Sequence, residues 1–125
     1  MKIKGVLVDV KNEKVEVVEI EKTLEEYYRI LNCDCIDIIS RKIGEKWFDI
    51  VCDDEGLLKE NPKISAIDNT NQPQLCGNLF IVKFDGVEDI TSISDEEAEY
   101  IMERIMLVST NFYPKGYPIL TQLGW

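Results

Sequence analysis

Residues 2–20 read KIKGVLVDVKNEKVEVVEI. Apolar side chains recur with a period of two along Lys2 to Val10 and again along Val15 to Ile20, the pattern of half-buried strands. The link Lys11-Asn12-Glu13-Lys14 is short and polar, so the two runs are expected to form a β-hairpin with its turn near Asn12.

Working outward, Thr23-Leu24-Glu25-Glu26 is a capping box, in which the threonine hydroxyl accepts from the backbone and Glu26 reaches back to the cap amide. Leu24, Tyr27, Tyr28 and Leu31 follow at helical spacing on one face, and Asn32 is the expected end. Ile36 to Ile43 and Trp47 to Cys52 are β-rich runs joined by Gly44-Glu45-Lys46, and Asp53-Asp54-Glu55-Gly56 closes the second with a turn signature. They read as a second hairpin.

From Leu57 to Gln74 no period survives: Asn61-Pro62 and Gln72-Pro73 bracket a polar stretch, read here as a long loop. Leu79 to Phe84 is a short apolar strand. A second capping box, Ser94-Asp95-Glu96-Glu97, opens a helix whose stripe is Ala98, Ile101, Met102, Ile105 and Met106. The acids in its first turn also suit the positive end of the helix dipole. Beyond Met106 the chain is rich in aromatic residues and proline, and reads as an irregular tail.

The expected fold is α+β: a mainly antiparallel sheet of about five strands, two hairpins plus a central strand, packed with two helices. Residues 1–106 form the domain and 107–125 an aromatic, proline-containing extension. Phe112, Tyr113, Tyr117, Ile119, Leu120 and Trp125 carry too much apolar area to stay in water. The extension is therefore expected to dock, on its own domain or, preferentially, across a homo-oligomer interface.

A chain of 125 residues, 45% hydrophobic and 30% charged, is ordinary globular composition for one core. It opens Met-Lys-Ile-Lys-Gly and enters the alternating pattern without a long apolar stretch, so a cytoplasmic protein is expected. With 24 acidic against 14 basic residues the formal net charge is −10, which disfavours direct contact with nucleic acid or anionic membrane while leaving room for a local basic pocket. Histidine is absent, and with it the commonest general base and every Ser-His or Cys-His pair.

The cysteines Cys33, Cys35, Cys52 and Cys76 have the right number for zinc but the wrong spacing. One C-x-C and two isolated positions point to buried free thiols, and no metal or cofactor is expected. Asp53, Asp54 and Glu55, with Asp85, Glu88 and Asp89, sit at turn signals, where carboxylates solvate and cap. No phosphate-loop or nucleophile-elbow motif is present, so the chain is not expected to be an enzyme. Lys59, Asn61, Lys63, Ser65, Asn69, Asn71 and Gln74 offer hydrogen-bond donors and two positive charges in one polar stretch. They are the candidate ligand-binding residues for a polar or anionic small molecule.

The acidic-Gly turn at Asp54 to Gly56, the glycine before the apolar run at Gly77, and the Ser94-Asp95-Glu96-Glu97 helix start together resemble the DUF3846 family. These are small proteins of unknown function common on phages, plasmids and conjugative elements. Where the family often shows Pro-x-Asn, this chain has Asn61-Pro62. The resemblance implies an accessory protein that counters host defence. The expected function is thus a non-catalytic binding protein, a sponge for a nucleotide-derived immune signal or a factor that occludes a host defence protein. An acidic DNA mimic that inhibits a nucleic-acid-binding enzyme is the alternative, and a small enzyme without a recognised motif the third.

Overall fold

A computed structural model describes residues 2–9, 12, 14–54, 64–67, 73–83, 90–104, 107–109 and 118–124, the backbone alone for 64–67, 73, 74, 76, 107–109 and 118–124. The described elements run β1 (Lys2–Asp9), β2 (Lys14–Glu21), α1 (Leu24–Leu31), β3 (Ile36–Ile43), β4 (Lys46–Asp53), β5 (Ile64–Ile67), β6 (Pro73–Cys76), β7 (Leu79–Lys83), α2 (Asp95–Arg104), β8 (Leu107–Ser109) and β9 (Pro118–Gly124). The fold is α+β, as the sequence pattern requires.

Both expected hairpins form, and β7 joins them. It pairs antiparallel with β1 through Leu7↔Phe80 and with β4 through Ile50↔Ile81, giving the antiparallel order β2-β1-β7-β4-β3. The continuous apolar run Leu79-Phe80-Ile81-Val82 suits this central position, because both of its faces are buried. On one face Val6, Val8, Phe48, Ile50, Leu79 and Ile81 pack with Ala98 and Ile101 of α2. On the other, Ile3, Leu7, Val51, Phe80 and Val82 pack with Tyr27, Ile30 and Leu31 of α1. The helices therefore take opposite faces of one sheet.

The first turn is held by Asp9, whose carboxylate accepts from the Asn12 backbone N–H at 3.1 Å and from Asn12 Nδ2 at 2.8 Å. The Gly44-Glu45 turn has Gly44 at φ +66° with Ile43 opposite Lys46, the two-residue hairpin that wants glycine first. Gly5 has another reason to be glycine. A Cβ there would lie 2.6 Å from the Ile81 carbonyl oxygen and 2.7 Å from the Phe80 ring.

The two capping boxes differ. At α2 the exchange is reciprocal: Ser94 Oγ accepts from Glu97 N at 3.1 Å, and Glu97 Oε1 accepts from Ser94 N at 2.9 Å. At α1, Thr23 Oγ1 accepts from Glu26 N at 3.2 Å, but the Glu26 carboxylate takes a two-pronged bond from Arg29 at 3.0 and 2.8 Å instead of turning back to the cap. Asn32 ends α1 in the left-handed conformation at φ 52°. The buried face of α1 is Tyr27, Ile30 and Leu31, and Leu24, expected on the stripe, is 57% exposed.

Two expectations are corrected. The stretch 57–74 is not a loop throughout, because β5 lies within it and pairs antiparallel with β6, which Pro73 and Gln74 open. Four-residue strands with a register shift carry too little period to be read, and Pro73 is tolerated as the first residue of an edge strand. Leu75 of β6 packs against the core cluster beneath α2. Nor is the extension irregular throughout: β9 pairs antiparallel with β3 through Lys42↔Gly124 and Ile43↔Leu123, parallel with β5, and antiparallel with β8. The described strand β9 thus pairs within the chain, on its own sheet. No described helix is long and apolar enough to cross a membrane.

Candidate functional site

Of the seven candidate ligand residues, Lys59, Asn61, Lys63, Asn69 and Asn71 lie outside the described residues. Ser65 falls in β5 and Gln74 in β6, so these two belong to paired strands rather than to an open loop. Of the extension, Ile119 and Leu120 fall in β9, while Phe112, Tyr113, Tyr117 and Trp125 lie outside the described residues.

Cys33 and Cys52 are buried free thiols and Cys35 is exposed, whereas the Cys76 side chain is not among those described. Cys52 Sγ donates to the Asp37 carbonyl at 3.6 Å, and the Asp54 N–H donates to the Cys35 carbonyl at 3.2 Å, closing β4 onto the start of β3. Burial, then the carboxylates of Asp37, Asp53 and Asp54 and the neighbouring Cys33, push the Cys52 thiol up to about 12. Among the described residues no group of three or more cysteines and carboxylates is placed to hold a metal ion. Glu55, Asp85, Glu88 and Asp89 lie outside the described residues.

The opposite end, at the β3–β4 turn, has a different chemistry. The register sets Lys42 opposite Trp47 on the face that α1 partly covers, with Lys42 Nζ 5.8 Å from the Trp47 ring centroid. Trp47 and Ile38, on that same face, are each 42% exposed, and between them Ser40 donates to the buried Asp49 carboxylate at 2.7 Å. That bond satisfies the one buried carboxylate of the strand and keeps the face in a fixed shape.

Across the sheet, Tyr100 of α2 forms the second half. Its hydroxyl accepts from the Glu45 N–H at 2.8 Å, the Arg104 guanidinium lies 3.5 Å from its ring centroid and Lys46 Nζ lies 4.7 Å away. Phe48 supports the ring from below at 6.2 Å between centroids. Arg41 and the exposed Lys83, opposite Phe48 on β7, add cations to the same end. In a chain of net charge −10, Lys42 thus lies beside Trp47 on one face of this end and Lys46 and Arg104 lie beside Tyr100 on the other, with Lys83 on that second face and Glu45 and Glu103 as the nearby acids. The acids Asp34, Asp37, Asp53 and Asp54 sit at the far end of β3 and β4.

The strand pattern of the sequence places Trp47 and Lys42 in neighbouring runs without marking them as a cluster. The signal was available in the two-residue turn Gly44-Glu45, from which counting back sets Ile43 against Lys46 and Lys42 against Trp47. The Tyr100 and Arg104 contribution rests on how α2 crosses the sheet, which no local pattern encodes.

No curated protein and no solved structure matches the chain. The profile described as "Domain of unknown function (DUF3846)" matches residues 1–106, the span from β1 through α2 that carries both halves of the turn-end cluster. By that match the chain belongs to the DUF3846 family.

Proposed function

We propose that this is a non-catalytic binding protein of a phage or mobile element, acting in the bacterial cytoplasm as a counter-defence factor that captures a nucleotide-derived signal at the β3–β4 turn end. The carrying observation is the pairing of aromatic rings with cations there: Lys42 beside the exposed Trp47, and Arg104 with Lys46 beside the half-buried Tyr100. A nucleotide presents a π-face and a phosphate, and aromatic faces flanked by lysine and arginine complement both. Gathering Arg41, Lys42, Lys46, Lys83 and Arg104 at this end lets an acidic protein attract a small anion locally while its overall field repels long nucleic acid.

The non-catalytic part of the reading is supported by how the described ionisable groups are used. Asp9 caps a turn, Asp49 accepts from Ser40, Glu97 caps α2, and Lys4 pairs with Asp95. Cys52, raised to about 12, stays protonated at neutral pH and is a poor nucleophile. Occlusion of a host defence protein through the same exposed face is the second outcome of the test. The DNA-mimic alternative is not carried forward, because Lys2↔Glu21, Lys4↔Glu19 and Asp9↔Lys14 interleave opposite charges across β1 and β2.

Calorimetry against a panel of linear and cyclic nucleotides and candidate host proteins, with mass balance on each ligand, tests the reading. Saturable binding that weakens in Trp47→Ala and Lys46→Ala, with the ligand recovered intact, is expected. Turnover of any ligand sinks the non-catalytic claim, and binding unaffected by either substitution sinks the site.

A further inference from the structure

We infer that the outer edge of β2 is a docking strand for an extended, lysine- or arginine-bearing segment of a partner protein. It is independent of the nucleotide reading, because β1, β7 and β4 lie between β2 and β3. Among the described residues β2 pairs with β1 alone, in register over all of Lys14–Glu21, so its other margin presents a strand's length of backbone donors and acceptors. An added strand satisfies such groups through main-chain hydrogen bonds, and its side chains read the charges on the two faces.

Those charges choose the occupant. Glu16 and Glu19 flank the exposed Val17, 45% accessible, and they project to opposite faces, since side chains alternate along a strand. Glu19 stands opposite Lys4, but the Lys4 ammonium is taken by Asp95 of α2, so the Glu19 carboxylate has no ion pair among the described residues. Among the described residues Glu16 has only the exposed Lys14, at 3.5 Å, a contact open to exchange. A basic strand laid along β2 meets a carboxylate on each face, with Val17 offering an apolar contact between them.

A second copy of the chain fits less well. Antiparallel pairing of two β2 strands over their full length sets Glu16 against the other copy's Glu19 twice, at the centre. Lys14 meets Glu21 only at the ends, and each chain brings a net charge of −10.

The test uses a short capped valine peptide with lysines three residues apart, so that they project to both faces of the strand, with two controls: the same peptide with glutamate in place of lysine, and the lysine-valine peptide N-methylated at alternate residues to block one hydrogen-bonding edge. Amide hydrogen exchange and NMR shifts of the full chain report the contact. Expected are binding of the lysine-valine peptide alone, new protection confined to β2, and about a tenfold loss of affinity in Glu16→Lys/Glu19→Lys. Equal binding of the N-methylated peptide reduces the contact to nonspecific charge and overturns the inference. So does protection elsewhere, no binding at all, or self-association of the chain through β2.

Discussion

Replacing Gly44 by alanine tests the junction on which the turn-end cluster is built. At φ +66° an alanine costs about 1–2 kcal/mol in backbone sterics, of which a narrower unfolded ensemble returns roughly half. The new Cβ would lie 2.5 Å from the Tyr100 hydroxyl and 2.7 Å from Arg104 Cδ and Nε. Arg104 is the end of a flexible side chain and can swing away. Tyr100 cannot move without giving up the 2.8 Å bond from the Glu45 N–H, a loss of about 1 kcal/mol.

Gly44→Ala should therefore destabilise by about 2 kcal/mol, and Tyr100→Phe, which removes the hydroxyl alone, by about 1 kcal/mol. In the Tyr100→Phe background the alanine no longer displaces a hydrogen-bonded oxygen, so its cost should fall to about 1 kcal/mol. Urea unfolding of the four proteins measures this cycle, provided the slope with denaturant stays constant. Strict additivity would show that the Tyr100 hydroxyl does not bear on the turn and would refute the reasoning.

Gly5→Ala should cost about 2 kcal/mol or more, because its Cβ meets the Ile81 carbonyl and the Phe80 ring in the centre of the sheet; an unchanged midpoint in urea would contradict that packing. Ser94→Ala should cost about 1 kcal/mol through loss of the α2 cap, read from the same unfolding curves. For Cys52 the folded pKa, about 12, lies above its ordinary value of 9.0, so the unfolded thiol ionises first as pH rises. Its contribution is intact below pH 9.0 and lost toward about 12, and wild type should lose stability faster than Cys52→Ala across that window; parallel curves would be the contrary result.

How much was legible in the sequence follows from where information is local. The period-two runs 2–9 and 15–20, the glycine-led turn at Gly44 and the α2 capping box act within a few residues and appear in the fold at their expected places, whereas at α1 only the Thr23 half of the box forms. The central role of Leu79–Lys83 was readable because an unbroken apolar run suits a strand covered on both faces. Leu24 escaped the predicted stripe because helical spacing alone does not fix which way the stripe is rotated, and Ile30 took the buried position.

β5, β6 and β9 were illegible for another reason. β9 is stabilised by pairing with β3 and β5, distant in sequence, whereas β5 and β6 pair with each other but are too short and irregular in register to show a period, and the residues of all three include proline or polar positions that mimic loops. The turn-end cluster needed both kinds of information: Lys42 against Trp47 is a matter of turn counting, whereas Tyr100, Arg104 and Lys46 meet only because α2 crosses to the hairpin.

The most direct measurement of the central claim is the fluorescence of Trp47 in a Trp125→Phe background, where it is the single remaining tryptophan, during titration with linear and cyclic nucleotides. Each mixture is chromatographed afterwards. The account predicts saturable quenching by at least one nucleotide, weakened by Lys42→Ala, with that nucleotide recovered unchanged. A signal that stays flat across the panel, or a ligand recovered as product, would contradict it.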